Sequence, residues 1–249
     1  MEDVVLMALR AALPVKALED VIIGPRAGLL VVDEINGFCT PGAGNLAPPP
    51  GAMPPAIATM IARTNGLARA FAASGRKILA FVDTHVPGRE EPPYPPHCET
   101  GSNEDELVPD LAWLNDEPAA TVVRKDVING FIGSIAKDGS NALVDWINDN
   151  RLETVVVVGI CTDICSSDLV TTLLSARNHH FADHSRLLPT LVEIVVLDEG
   201  NATYDLPGTV ARDLGLPETA THPAGLAHHI GLWTMQSRGA TIAASLKVA

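Results

Sequence analysis

Residues 155–165 read VVVVGICTDIC: a run of valines ends at a glycine, and two of the chain's four cysteines follow within six positions. An uninterrupted apolar run of this kind is typical of a strand buried on both faces of a parallel sheet. The residues after it, SSDLVTTLLSAR (166–177), have helical spacing. The segment therefore predicts a strand, a tight turn and a helix, with Cys161 and Cys165 in the turn.

Further runs of aliphatic and β-branched residues predict four more strands, and helical patterns lie between them at 56–73 and 141–150. The four runs are Gly28–Asp33, Ile78–Asp83, Thr121–Arg124 and Glu193–Asp198. Strands that alternate with helices indicate a parallel sheet covered on both faces. We therefore expect an α/β fold, a doubly wound and mostly parallel sheet with helices on both faces, in a single domain over residues 1–249.

The composition restricts the classes of partner. The net charge is −13, from 17 basic and 30 acidic residues, and no block of Lys or Arg occurs. This argues against nucleic acid and against an anionic membrane surface as partners. No apolar run approaches the eighteen or so residues of a membrane helix. The first residues, MEDVVLMALRAALPVK, predict a short amphipathic helix and not a secretory signal, so we expect a cytoplasmic protein, with the nucleus not excluded.

Polar residues stand at or near the ends of the predicted strands. They are Asp33, Asp83, Lys125 and Asp198, and the fifth strand runs into Cys161 and Cys165. In open α/β sheets, ligands bind beyond the carboxyl ends of the strands, at a switch in strand order. We expect Asp33, Asp83, Lys125 and Cys165 to converge there. The alternative is that aspartates at strand ends only begin turns or cap helices.

Cys165 is a candidate nucleophile. It lies near the predicted start of a helix, where free N–H groups and the helix dipole lower the pKa of a thiol and bind an oxyanion. Asp33 and Lys125 are candidates for the base and the orienting charge, with Asp126 as a second acidic neighbour of Lys125. Three alternatives stay open: a buried hydrophobic cysteine, as we interpret Cys39, half of a structural zinc site, and a redox pair.

The segment DTHVPGREEPPYPPHC (83–98) is a candidate metal site. Asp83 and His85 are two residues apart at a strand end, and His97 follows a proline-rich excursion. A carboxylate with two imidazoles suits a divalent transition metal. Cys98 is an alternative to His97 as a ligand. We assign the other histidines to a solvated connector or to surface and packing positions; they are His179, His180, His184, His228 and His229.

Taken together, the motifs resemble the nicotinamidase branch of the isochorismatase-like cysteine hydrolases, over almost the whole chain. They are DEINGFCTPGAGNLAPP (33–49), YPPHCETGS (94–102), RKDVINGF (124–131), ALVDWI (142–147) and VGICTDIC (158–165). The order and spacing are most similar to the plant-type members. Two departures stand out. The loop VPGREE (86–91) lacks a further histidine that many bacterial relatives have, and Ser166 and Ser167 occupy positions that are usually apolar.

The resemblance implies a role for individual residues. The catalytic triad falls on Asp33, Lys125 and Cys165. The metal ligands fall on Asp83, His85 and His97, and the oxyanion donors on the amides of Cys161 and Cys165. A cis peptide is implied at Ile160–Cys161, and Phe38 and Tyr94 are implied to flank a flat substrate ring. We also expect Asp163 to tie the turn to the start of the following helix.

The implied reaction is the hydrolysis of nicotinamide to nicotinate and ammonia, in NAD salvage. A divalent metal is implied as cofactor, with zinc favoured and iron or manganese as alternatives, and its expected task is to orient the pyridine nitrogen. Two other functions remain as alternatives. One is a metal-independent amidase or ureido hydrolase of the same superfamily, and the other is a non-catalytic metal-binding protein on this fold. A homo-oligomer is compatible with the sequence.

Overall fold

The structure is a computed structural model that describes residues 2–89, 91–213 and 215–249. Seven parallel strands form its main sheet. The strands are β1 (Ala17–Leu18), β3 (Ala27–Val32), β4 (Lys77–Asp83), β5 (Ala120–Lys125), β6 (Thr154–Ile160), β7 (Glu193–Ala202) and β8 (Thr241–Ala243). Their order is β1-β8-β7-β6-β3-β4-β5. A separate parallel pair joins β2 (Val21–Ile23) to β9 (Leu246–Val248).

Helices cover both faces of this sheet. They are α1 (Glu2–Ala12), α2 (Asn36–Cys39), α3 (Pro55–Ala73), α4 (Gly130–Gly133), α5 (Ala142–Asp149), α6 (Cys165–Asn178), α7 (Gly208–Asp213) and α8 (Ala224–Ser237), with 3₁₀ turns at Ala112–Asn115 and Glu218–Ala220. Because side chains alternate along a strand, β3 sends Leu29 and Val31 into one core and Leu30 and Val32 into the other. The first core includes α3, and the second includes α5, α6 and α8.

The fold class predicted from the sequence is confirmed. All five expected strands form, with bounds that differ from the prediction by at most four residues, and the neighbouring strands of the seven-stranded sheet are paired in parallel. The short strands β1, β2, β8 and β9 were not predicted. Two or three residues carry too little hydrophobic pattern to be recognised in a sequence.

The strand order changes direction between β3 and β6. From β3 the chain adds β4 and β5 on one side, and then returns to add β6, β7 and β8 on the other. At such a switch point the loops at the carboxyl ends separate and leave a crevice. The residues that follow β3, β4, β5 and β6 therefore surround one opening.

Asp198 does not belong to this opening. The sequence predicts the end of the last long strand there, but β7 continues to Ala202. The pairing with β6 shifts register between Val157 and Gly159, which lets β7 run on past Asp198. The Asp198 carboxylate instead accepts a hydrogen bond from His228 of α8.

No helix of the described residues is long and apolar enough to cross a membrane.

Candidate active site

The three residues predicted to be catalytic lie together at the carboxyl edge of the sheet. Asp33 directly follows β3, Lys125 is the last residue of β5, and Cys165 is the first residue of α6. All three are buried, and Lys125 Nζ lies 2.9 Å from Asp33 Oδ2. The Cys165 thiol is close enough to affect the pKa of the Asp33 carboxyl group. The fold thus places a thiol, a carboxylate and an ammonium group in one buried cluster.

Lys125 joins the catalytic cluster to the candidate metal site. Its Nζ donates to Asp83 Oδ1 at 3.0 Å and to the Val127 carbonyl at 3.0 Å. The predicted second acidic neighbour, Asp126, is wrong, because Asp83 is the direct register partner of Lys125 across β4 and β5. Helix α4 packs closely over the lysine stem: a Cβ at Gly133 would lie 2.5 Å from Lys125 Cβ.

Asp33 has the properties of a general base. It has φ of +53°, a strained backbone conformation that is frequent at functional sites. Its carboxylate is buried with the Lys125 ammonium group 2.9 Å from Oδ2 and the Cys165 thiol close by, so Asp33 is placed to accept a proton from that thiol. Burial raises the pKa of Asp33 to about 6, against the opposing effect of Lys125 and with a further rise from Asp83. At neutral pH the carboxyl group is mostly ionised and yet readily protonated.

The Cys165 thiol differs from the sequence-based expectation. We expected the start of the helix to lower its pKa, but burial raises the pKa well above the usual value, against the effect of Lys125. The resting group is therefore a neutral thiol, and the chemistry needs a base to remove its proton. Burial also raises the pKa of the Cys161 thiol to about 12, with a further rise from the Asp163 carboxylate. At Cys165 the Lys125 ammonium group opposes the effect of burial on the pKa, so a thiolate formed there has a cationic neighbour.

The turn between the two cysteines leaves backbone donors free. Ile164 and Ser166 donate their amides to the Cys161 carbonyl, and Thr162 donates to the Ala202 carbonyl. The amides of Cys161 and Cys165 have no acceptor among the described residues. The Ile160–Cys161 peptide is cis, as the resemblance implied. Free amides beside a thiol are suited to holding an oxyanion.

The candidate metal ligands converge next to this cluster. One donor atom each from Asp83, His85 and His97 lies within 4.8 Å of the others, and all three residues are buried. Asp83 Oδ2 is 3.0 Å from His85 Nε2 and 3.2 Å from His97 Nε2. His97 Nδ1 donates to the Pro95 carbonyl at 2.8 Å, which leaves Nε2 free to bind a metal. A buried carboxylate with two oriented imidazoles fits a divalent metal ion.

The electrostatic surroundings keep the Asp83 carboxylate ionised, as a metal ligand must be. Although burial acts in the opposite direction, Lys125 and the two histidines hold the pKa of Asp83 well below its usual range. Sequence reasoning missed Glu91, whose Oε2 lies 3.9 Å from His85 Nε2 while its Oε1 accepts from the Ile128 amide. No sequence signal separates Glu91 from the other acidic residues of that loop, since only the fold brings it back to His85. Cys98, the alternative ligand, is not part of the cluster.

Two aromatic side chains, Phe38 and Tyr94, stand beside the candidate metal ligand His97. The centroid of the Phe38 ring lies 5.8 Å from that of His97, and the Tyr94 ring lies 6.0 Å from it in an edge-on arrangement. Both residues are half-buried. A flat ring bound at this site would therefore meet aromatic surfaces next to the metal position.

Asp163 does not tie the turn to the start of α6, so that prediction is wrong. Its Oδ1 accepts a hydrogen bond from the Thr203 hydroxyl at 2.7 Å, and its Oδ2 lies 2.8 Å from His222 Nε2. The His222 ring stacks on the Tyr204 ring, with centroids 3.9 Å apart. The side chain therefore links the turn to the segment after β7, a contact between residues 40 and 59 positions apart that the local sequence does not reveal.

The remaining histidines and cysteines lie outside the cluster. His179, His180 and His184 are exposed in the connector between α6 and β7, as predicted. Cys39 is a buried free cysteine, in agreement with its interpretation as a small hydrophobic residue.

Comparison with known proteins identifies the family. Residues 27–198 match the isochorismatase domain. The chain belongs to the isochorismatase family. Among relatives in this family, Nicotinamidase 1 of Arabidopsis thaliana is 45% identical over 240 residues, which cover 96% of this chain and 94% of that protein.

Solved structures confirm the isochorismatase-family fold. The nicotinamidase of Bacillus subtilis has a TM-score of 0.62 at 17% identity, over 88% of this chain and 99% of that one. The pyrazinamidase of Pyrococcus horikoshii, solved in complex with zinc, has a TM-score of 0.61 at 20% identity, over 88% and 98% of the two chains. The N-carbamoylsarcosine amidase of Thermoplasma acidophilum has a TM-score of 0.58 at 20% identity, over 88% and 95%. At these identities the likeness concerns the fold alone.

Proposed function

We propose that this protein is a nicotinamidase, which hydrolyses nicotinamide to nicotinate and ammonia in NAD salvage. The observation that carries the proposal is the 45% identity with Nicotinamidase 1 of Arabidopsis over nearly the full length of both chains. The buried cluster of thiol, carboxylate and ammonium group supports an amide hydrolysis through a covalent intermediate.

In the proposed reaction Asp33 removes the proton of the Cys165 thiol, which then attacks the carboxamide carbon. The amides of Cys161 and Cys165 hold the oxyanion that forms. Asp33 returns its proton to the leaving ammonia, and a nicotinoyl thioester remains on Cys165. Asp33 then removes a proton from water, whose oxygen attacks the thioester carbon. The carbon–sulfur bond breaks, Asp33 returns this proton to the sulfur of Cys165, and the product leaves as nicotinate with its acidic proton lost to solvent. The pKa of Asp33, at about 6, suits a group that accepts and returns a proton near neutral pH.

Asp83, His85 and His97 are the proposed ligands of a divalent metal, for which zinc is the leading candidate and iron and manganese are the alternatives. A bound metal would supply a Lewis acid for the ring nitrogen of nicotinamide and so fix the orientation of the carboxamide. Phe38 and Tyr94 are proposed to flank the ring, because both lie beside His97. Lys125 is in contact with both Asp33 and Asp83, so its charge serves both sites.

A substrate panel tests the proposal against the other amidases of this fold. Nicotinamide, benzamide and an N-carbamoyl amino acid are each incubated with metal-loaded protein, and ammonia is measured. We expect rapid release from nicotinamide and much slower release from benzamide, which has the same shape but no ring nitrogen. Release from the carbamoyl substrate alone would identify a ureido hydrolase, and release from none would indicate a non-catalytic protein.

A further inference from the structure

The turn that carries the oxyanion amides rests directly on the backbone of α8. A Cβ at Gly231 would lie 2.8 Å from the Thr162 carbonyl oxygen and 2.8 Å from Asp163 Cα, so only a glycine permits this approach. The contact places one turn of α8 against the residues that immediately follow Cys161. A side chain that neighbours Gly231 on this helix face can therefore reach the same turn.

His228 is that side chain, three residues before Gly231 on the same face of α8. Its Nδ1 lies 2.8 Å from the Thr162 hydroxyl, and its Nε2 lies 2.9 Å from Asp198 Oδ1. The carboxylate accepts, so Nε2 carries the proton and Nδ1 accepts from Thr162. Thr162 is fully buried, and its amide donates to the Ala202 carbonyl.

We propose that His228, oriented by Asp198, is a positioning residue for the oxyanion turn. This inference rests on the proposed amide hydrolysis. Thr162 directly follows Cys161, so a shift of the Thr162 side chain and backbone also displaces Cys161, whose amide is the proposed oxyanion donor. Such donors act only when they are held at hydrogen-bond distance from the developing charge. The hydrogen bonds of Asp163 to Thr203 and His222 hold the turn at residue 163, and the hydrogen bond of His228 holds it at Thr162.

The position of His228 separates its effect from the rest of the catalytic site. Its two ring nitrogens bond to Thr162 and Asp198, and among the described residues no hydrogen bond joins it to Asp33, Lys125 or the candidate metal ligands. Loss of the imidazole should therefore weaken stabilisation of the oxyanion and leave the reactivity of the thiol, the binding of metal and the binding of the substrate ring unchanged. A general loss of folding would lower all four.

Four variants test the proposal: His228→Ala, His228→Asn, Thr162→Val, and the double variant of His228→Ala with Thr162→Val. The asparagine amide occupies the region of Nδ1 and keeps a partner for Thr162, whereas valine keeps the shape of threonine without its hydroxyl. Removal of an oxyanion donor costs about 100- to 1,000-fold in kcat, and we expect a displaced donor to cost about 10- to 100-fold.

We expect this loss of kcat in His228→Ala and Thr162→Val, with KM and metal content within about twofold of wild type. The double variant should lose no more than either single variant, because both changes remove the same hydrogen bond. His228→Asn should recover most of kcat. The rate at which iodoacetamide alkylates Cys165 should be unchanged in all four, because alkylation forms no oxyanion. His229→Ala is the matched control, since the hydrogen bond of that neighbouring imidazole within the described part of the chain goes to the Leu13 carbonyl, away from the turn. Its kcat should equal that of wild type.

Several results would overturn the proposal. They are an unchanged kcat in His228→Ala, additive losses in the double variant, or a parallel loss of alkylation and metal. Failure of the proposed function is a separate outcome, seen as wild-type protein that releases no ammonia from nicotinamide. Reversible protection of Cys165 from alkylation by pyridine-3-carbaldehyde then replaces turnover as the readout, because the thiohemiacetal oxygen occupies the same oxyanion position. The inference is overturned if the aldehyde protects Cys165 from alkylation equally well in wild type and in His228→Ala, or protects it in neither.

Discussion

Replacement of Lys125 by methionine removes an ammonium group that contacts both Asp33, the proposed base, and Asp83 of the candidate metal site. Methionine keeps most of the apolar stem against Gly133 and deletes the ammonium group, which lies 2.9 Å from Asp33 Oδ2 and 3.0 Å from Asp83 Oδ1. Two buried carboxylates then lose their counter-charge. Breaking such a pair costs about 3 to 5 kcal/mol of folding stability when the remaining charge cannot be neutralised. Asp33 can take up a proton, so we expect a smaller loss and a folded protein.

The magnitude of the kinetic effect follows from the pKa of Asp33. Lys125 is the largest influence that lowers this pKa, which burial raises to about 6. A close opposite charge lowers the pKa of a carboxyl group by about 1 to 3 units, so its removal should raise the pKa of Asp33 to roughly 7 to 9. The carboxylate that is required as a base is present only above its pKa. The acidic limb of the pH profile of kcat/KM should therefore move from about 6 towards roughly 7 to 9.

Alkylation by iodoacetamide tests the same charge without turnover. Lys125 is the main influence that lowers the pKa of Cys165, so the thiolate fraction at pH 7 should fall in the variant. Protonation of Asp33 relieves part of this effect by removing a negative neighbour of the thiol. We therefore expect the alkylation rate to fall about tenfold, which corresponds to the lower end of the range of about 1 to 3 pKa units. Metal content should remain at one equivalent. Lys137→Met, at an exposed lysine in the loop before α5, is the control.

A Lys125→Met protein with the wild-type pH profile and alkylation rate would refute this reasoning. Lys125 would then act through packing, and the assignment of Asp33 as a base held ionised by a buried ammonium group would be wrong. Loss of metal together with activity would instead assign Lys125 to the support of Asp83.

Three other predictions concern the nucleophile, the metal and a buried acid. Cys165→Ala should abolish turnover and Cys161→Ala should retain much of it, because only the amide of Cys161 is used; equal losses in two folded variants would contradict the assignment. His97→Ala should lower the metal content from about one equivalent, as measured by metal analysis, while His179→Ala at an exposed site should not. Burial raises the pKa of Glu34 from 4.5 to about 8, so the free energy of unfolding of wild type should fall as pH rises from about 4.5 to about 8. Glu34→Gln should flatten this pH dependence, as measured by urea titrations. If the variant keeps the pH dependence of wild type, the Glu34 carboxyl group is ionised in the folded protein and the reasoning is wrong.

The sequence was sufficient where the signal is local and strong. Near-continuous apolar runs marked the five long strands, and the rule that ligands bind at strand ends brought Asp33, Lys125 and Cys165 together. An aspartate and a histidine two residues apart are too common to indicate a metal by themselves. The return of the proline-rich segment to His97 made the site a candidate, and the resemblance then implied Asp83, His85 and His97 as its ligands. The exposed histidines of the connector were also correctly assigned.

The sequence was insufficient where a contact depends on how distant segments pack. Asp163 bonds to His222, and Thr162 bonds to His228, across separations of 59 and 66 residues. Asp33 was correctly expected beside Lys125, but the second acidic neighbour was misassigned to Asp126. The register of β4 and β5, which sets Asp83 beside Lys125, is not visible in either strand alone. Likewise the thiol pKa depends on the balance of burial against one ammonium group, and burial cannot be read from residue order.

The measurement that tests the central claim most directly is the stoichiometry of products from nicotinamide, before and after Cys165 is alkylated. Metal-loaded wild-type protein is incubated with nicotinamide, and nicotinate and ammonia are quantified together. We predict equal amounts of both products, and no turnover once mass analysis shows a single alkylated cysteine at Cys165. Absence of nicotinate from the wild type, or turnover that survives complete alkylation of Cys165, would contradict hydrolysis of nicotinamide through this cysteine.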